Sequence, residues 1–153
     1  MIEKEYHVYT DGACQNNQAP GGQPGGWGCV FVNGPSYSGY DAKTTNNRME
    51  LTAAIEALKH TEPGARVHVY SDSAYVVNAF LQNWFKGWHQ RGWKNAKGQS
   101  VENQDLWREL YQLAQERRVT WVKVKGHAGN QYNEMADTLA VDAIKNGRGS
   151  IAH

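Results

Sequence analysis

The sequence predicts an α/β domain, a sheet with helices packed on its faces. Two observations carry this. Three β-rich runs follow one another with only loop and turn signals between them, and helical and strand patterns then alternate. At 153 residues the chain suits one domain with one core. A third observation bears on chemistry: acidic residues recur where strands stop and helices begin.

Residues 5–11 are rich in Tyr, Val and Thr and alternate in polarity, which predicts a strand. Residues 12–28 are dense in Gly, Asn, Gln and Pro and read as a loop. Residues 27–32, WGCVFV, form a second strand, Asn33-Gly34-Pro35 a turn, and residues 37–42 a third strand of an antiparallel meander. Residues 46–60 read as a helix, with Leu51, Ala54, Ile55 and Leu58 on one buried face, and Pro63-Gly64 lies beyond its end. Residues 66–70 are a strand, and residues 73–84 a helix capped by Asp72 or Ser73. Residues 104–116 form a further helix, with Leu106, Trp107, Leu110 and Leu113 inward. Residues 119–124 are the last strand, 126–129 a loop and 132–145 the final helix. The glycines after Asn146 suggest a frayed tail over residues 147–153.

Composition excludes several classes. No apolar run is long enough to span a bilayer. The N-terminal MIEKEYHVYT lacks the apolar core of a signal peptide, so a cytoplasmic location is expected. Cys14 and Cys29 fit a reducing compartment and make no zinc or disulfide pattern. The net charge of +1 says little, but its distribution is uneven. Residues 73–101 contain no Asp or Glu, yet carry Lys86, Arg91, Lys94, Lys97 and His89, interleaved with Trp84, Trp88 and Trp93. A basic patch in a near-neutral chain is the footprint of polyanion binding.

Each acid has an ordinary explanation when taken singly. Asp11 precedes Gly12, a turn signal. Glu50 follows Asn47 by three positions and could close a capping box. Asp72 could cap the next helix. Asp137 shares a helical stripe with Val141 and Ile144 and so borders a buried face. Together they make a different case. Sites in open α/β sheets form at the carboxyl ends of strands, where Asp11 and Asp72 sit. If those two strands are neighbours, their carboxylates converge and repel, and bound cations relieve the repulsion. Such a carboxylate cage suits Mg2+ and phosphodiester chemistry.

The strings TDGAC, TTNNRMEL, SDSAYV, NQDLW and VKGHAGNQYNEMAD, in this order from Tyr6 to about Ala143, resemble bacterial ribonuclease H of type 1. The resemblance implies a five-stranded mixed sheet with helices on both sides, in a single catalytic domain over residues 1–146. It implies a monomeric endonuclease that hydrolyses the RNA strand of RNA/DNA hybrids, leaving 5′-phosphate and 3′-hydroxyl ends. Asp11, Glu50, Asp72 and Asp137 would bind two Mg2+ ions, with Mn2+ able to substitute and Asp11 bridging both. His127 would be an auxiliary catalytic residue that aids proton transfer or product departure. Glu134 would tune metal occupancy. Asn17 or Asn16, with Asn46 and Asn47, would read the 2′-hydroxyl. Thr45 and Asn103 would hold a phosphate of the DNA strand, assisted by Lys43. The segment from Trp84 through Lys86, Trp88, Arg91, Trp93, Lys94 and Lys97 would hold the hybrid.

Two departures from the family pattern stand out. The loop over residues 15–26 is longer, and the basic segment carries Gly87 and Gln90 where cations could stand. An integrase or junction resolvase is the rival enzyme reading, but NNRMEL, KGHAG and the Trp-rich basic segment argue against it. A non-catalytic hybrid-binding module would be expected to lack one of the four acids. A purely structural domain would leave the acid-free basic window unexplained.

Overall fold

The structure is a computed structural model that describes residues 4–15, 21–125 and 130–149. Five strands form one mixed sheet: β1 (Glu5–Cys14), β2 (Gln23–Phe31), β3 (Ser36–Thr44), β4 (Arg66–Ser71) and β5 (Arg118–Lys123). Their order is β3-β2-β1-β4-β5, antiparallel across the first three and parallel from β1 to β4 to β5. The helices are α1 (Asn46–Lys59), α2 (Ala74–Leu81), α3 (Trp84–Gln90), α4 (Gln104–Gln115) and α5 (Gln131–Asn146).

Helices cover both faces of β2, and its glycines show how closely. Successive strand residues point to opposite faces. A Cβ on Gly25 would meet the Met49 side chain of α1, whereas one on Gly26 would collide with the Ala140 carbonyl of α5. On the α1 side lies the core of Val8, Val67, Val69, Leu51, Ile55 and Leu58, all buried. It continues under α2, α3 and α4 as an aromatic cluster. Phe85 contacts Trp107 at 5.6 Å and Trp88 at 5.1 Å, and Phe80 stacks on Trp121 at 4.1 Å.

Several boundaries differ from the sequence reading, each for a physical reason. Strand reaches into the expected loop from both ends: β1 runs on to Cys14, β2 begins at Gln23, and residues 11–14 of β1 pair with Gly25–Gly28 of β2. Glycine there signals close helix approach rather than a turn. The helix expected over residues 73–84 ends at Leu81, and α3 begins after Asn83, whose left-handed backbone (φ 51°) turns the chain. In α4, Trp107, Leu110 and Ala114 are the buried positions, while Leu106 and Leu113 are partly covered. The start of the expected tail is tied down. Gly147 adopts the left-handed cap (φ 65°), and Arg148 N–H donates to the Ala143 carbonyl.

The seating of α5 on β2 gives a direct test. A Cβ on Gly28 would lie 2.7 Å from the Ala136 carbonyl and 2.8 Å from Leu139 Cβ, so Gly28→Ala must push α5 outward. Overpacking of this kind costs about 1–3 kcal/mol. Thermal melts should show that loss, and Asp137 should shift with the helix that carries it. A variant that melts like wild type would contradict this packing.

Candidate active site

The parallel ladder between β1 and β4 ends at the pair Thr10–Ser71. Asp11 is the next residue of β1 and Asp72 follows directly on β4, so the ladder delivers both carboxylates to one place. Asp72 does not cap α2. Ser73 does, its hydroxyl accepting from Val76 N–H at 3.2 Å, which leaves the Asp72 carboxylate for other work. Glu50 comes from the second turn of α1. It closes no capping box, since Thr45 is the cap and accepts from Arg48 N–H at 3.2 Å. Glu50 reaches Asp11 because α1 lies directly on β1 at Gly12, where a Cβ would collide with the backbone of Met49 and Glu50.

Carboxylate oxygens of Asp11, Glu50 and Asp72 all lie within 4.8 Å of one another. Asp11 is 5% exposed and Glu50 7%. Burial, then the charge of Asp72, then a hydrogen bond and the charge from Asp137 push the Asp11 carboxyl up to about 8; the Gly12 N–H, 2.9 Å from Oδ1, opposes this. Burial and the charges of Asp11 and Asp72 hold Glu50 well above the usual carboxylate range. Asp137, on α5, thus joins the cluster through Asp11. Buried acids that resist ionisation fit one another only when protonated or when a cation lies among them. An all-oxygen donor set of this kind suits a hard divalent ion such as Mg2+ or Mn2+.

Beside the cage, one side chain ties several of the expected substrate residues together. Arg48 donates to both carboxylate oxygens of Asp105, at 3.0 and 2.7 Å, and to Asn103 Oδ1 at 3.2 Å. Asn103 Nδ2 in turn donates to the Tyr75 hydroxyl at 3.1 Å, which also accepts from Trp107 Nε1 at 3.0 Å. Arg48 also carries the N–H that Thr45 caps, so Thr45 and Asn103 are brought to one face. Lys43 and Asn47 are exposed at the same end of α1, and Asn46 is partly covered. Arg48 and Tyr75 escaped the sequence reading. Arg48 finds Asp105 57 residues away, and no local pattern announces such a pair.

The Trp-rich segment divides in two. Lys86, Arg91, Lys94 and Lys97 are exposed, and among the described residues no carboxylate pairs with them. Arg91 Nε also donates to the Lys94 carbonyl at 3.0 Å, which shapes the turn. The tryptophans mainly pack inward. Trp84 and Trp88 are partly buried, edge to face at 6.1 Å. Trp93, expected to help hold the hybrid, is only 8% exposed; it packs on Phe85 and Trp88 and lies beneath the Arg108 guanidinium at 4.7 Å. Glu134 is exposed on the first turn of α5. Asn16, Asn17 and His127 lie outside the described residues.

The raised carboxyls dictate a pH dependence. Asp11 starts from an ordinary value of 3.8 and reaches about 8 in the fold. Its contribution to stability is therefore complete below about 4 and is lost as pH rises through about 8. Metal-free protein should melt at progressively lower temperature across that window. Asp11→Asn should flatten the slope, and a divalent cation should restore the high-pH melt. A metal-free melt that is level with pH, or equally steep in the variant, would be incompatible with the buried cluster.

The RNase H family profile matches residues 3–145. A ribonuclease H of Moorella thermoacetica is 54% identical over 144 residues, spanning 92% of each chain. One of Chlorobium phaeobacteroides is 51% identical over 150 residues, 96% of this chain and all of its own. Among solved structures, LC9-RNase H1, described as a type 1 RNase H with the type 2 active-site motif, matches with a TM-score of 0.85 at 35% identity. That match covers 98% of this chain and 76% of the other. With sheet order, acid cluster and sequence in agreement over nearly its whole length, the chain belongs to the ribonuclease H family.

Proposed function

We propose that the protein hydrolyses the RNA strand of RNA/DNA hybrids endonucleolytically, with two divalent metal ions, leaving 5′-phosphate and 3′-hydroxyl ends. The observation that carries this reading is the convergence of buried Asp11 and Glu50 with partly covered Asp72, their oxygens within 4.8 Å of one another, with Asp137 near enough to raise the Asp11 carboxyl. When bound, the metals would supply the Lewis acidity that activates water and neutralises the leaving oxygen. Asp11 lies within 4.8 Å of Glu50 and Asp72 and is influenced by Asp137, so it would hold metal together with the other three acids. Mg2+ is the expected ion, with Mn2+ a substitute.

The remaining residues would hold, read and shuttle. Asn46 and Asn47, with Asn16 or Asn17, would pair with the 2′-hydroxyl, which separates RNA from DNA. Thr45, Asn103 and Lys43 would take a phosphate of the DNA strand, kept in place by Arg48. His127 would carry a proton near neutral pH, and Glu134 would modulate metal occupancy. Lys86, Arg91, Lys94 and Lys97 would face the hybrid, with Trp84 and Trp88 as a partly exposed floor beneath them. We place this activity in the cytoplasm and assign it to a monomer. No described helix is long and apolar enough to cross a membrane.

Incubation with RNA/DNA hybrid, duplex RNA, duplex DNA and single-stranded RNA, with and without Mg2+, tests the reading. Only the hybrid with metal should be cut, and only in its RNA strand. Asp11→Asn should abolish nearly all of this cleavage. Residual activity within about tenfold of wild type corresponds to only about 1.4 kcal/mol of barrier and would exclude an essential ligand.

Neutralising Lys86, Arg91, Lys94 and Lys97 together should raise KM and flatten its salt dependence, since each phosphate contact adds about one unit to the salt slope. The kcat should change far less. Steady-state kinetics over a salt series decides it: a large fall in kcat with KM and slope intact would move these cations from substrate holding to support of the centre.

A further inference from the structure

We infer that Glu5, His7 and His68 form a second metal site, selective for a borderline transition-metal ion of the Zn2+ class. His7 on β1 and His68 on β4 are direct register partners in the parallel ladder. Their rings stand side by side, centroids 4.3 Å apart and only 5° from parallel. Glu5 lies two residues before His7 on the same face of β1. Its Oε1 is 2.9 Å from His68 Nε2 and 3.5 Å from His7 Nε2. One ligand atom from each of the three lies within 4.8 Å of the other two. A tetrahedral ion with bonds of about 2.1 Å sets its ligand atoms about 3.4 Å apart. The two Glu5 distances bracket that value, and these partly exposed side chains can close the remainder by small rotations.

The surroundings suit ligation. Tyr70 Oη is 2.7 Å from His7 Nδ1. In the tautomer with its proton on Nδ1, His7 donates to that hydroxyl and leaves the Nε2 lone pair facing Glu5. A metal-bound imidazole is commonly oriented in this way by a partner on its other nitrogen. Tyr70 is itself held by stacking on Tyr9 at 4.4 Å, and Tyr9 on Tyr132 of α5 at 5.4 Å. The donor set also separates this site from the acid cage. Two imidazoles and one carboxylate favour Zn2+, Ni2+ or Cu2+, whereas the all-carboxylate cage favours Mg2+. His7 lies four residues before Asp11, about 13 Å along the strand. A fourth position would remain for water.

The test uses the full chain with millimolar Mg2+ to fill the acid cage, and ZnCl2 as the probe. Zinc at about a hundred times its Kd should raise the wild-type melting temperature by about 5 °C or more. His7→Gln/His68→Gln should lose that rise, and Glu5→Gln should shift it to higher zinc. An equal rise in the double variant would locate zinc elsewhere and overturn the proposal. Imidazole nitrogen NMR of the wild-type protein gives a readout independent of variant folding. Zinc should move the Nε2 resonances of His7 and His68, and resonances that stay in place would also overturn it. Hybrid cleavage does not enter either readout, so failure of this site and failure of the proposed activity are distinguishable.

Discussion

A side chain at residue 12 would occupy the space of the Met49 and Glu50 backbone, so glycine there lets α1 lie directly on β1. The active centre follows from that contact. The first strand fixes Asp11, its parallel neighbour fixes Asp72, and the close helix brings Glu50 into the same small space. Close packing on both sides leaves the carboxylates little room to separate. Their repulsion therefore persists in the fold and shows as carboxyls that resist ionisation. Strain of this kind persists only where the surrounding structure over-determines it. The β1–β4 ladder, the Gly12 contact and the seating of α5 on Gly26 and Gly28 supply that determination from three directions.

The basic segment has a different economy. Its tryptophans supply the anchorage and its lysines the charge. Phe85, Trp88, Trp93 and Trp107 form one continuous aromatic cluster, so a short helix of seven residues, α3, is held by side-chain burial rather than by its own length. Such a helix would be marginal in isolation. With the rings turned inward, Lys86, Lys94 and Lys97 are left outward by default. Alternating Trp and Lys in this stretch is thus a device for presenting unpaired charge on a firm base.

How much of this was legible depends on whether the deciding force is local. The helix expected at residues 46–60 is Asn46–Lys59, and the strand at 66–70 is Arg66–Ser71, because apolar periodicity and burial agree there. The convergence of Asp11 and Asp72 was legible once their strands were taken as neighbours. Gly12, Gly25, Gly26 and Gly28 misled, because a glycine that admits a helix and one that makes a turn, as at Gly21 and Gly22, look alike in sequence. The break between α2 and α3 rests on a left-handed Asn83, without a glycine or proline to mark it. Arg48 was read only as part of a motif; its role depends on Asp105 in a different helix. Trp93 was grouped with the cations beside it in sequence, while its neighbours in space are mostly aromatic.

The acid cage and the Arg48–Asp105 tie also titrate in opposite senses, which separates them physically. Arg48 beside Asp105 holds that carboxyl below its usual range, first by hydrogen bonding and then by charge. Its contribution is present above the ordinary carboxylate value and is lost as pH falls through the lowered one. The Asp11 contribution runs the other way. Acid thus relaxes the cage while loosening the tie between α1 and α4, and alkali strains the cage while leaving that tie intact. Asp105 is largely exposed, its side chain at 65%, so the tie adds little to overall stability. Its value is positional: a forked, two-point contact fixes an angle as well as a distance. That angle sets where Asn103 and Thr45 stand relative to the carboxylates. Metal-free protein is held together best where its cage is protonated, yet the Arg48–Asp105 tie is strongest where carboxylates are ionised. A cation in the cage removes the conflict, allowing both networks to be satisfied at the same neutral pH.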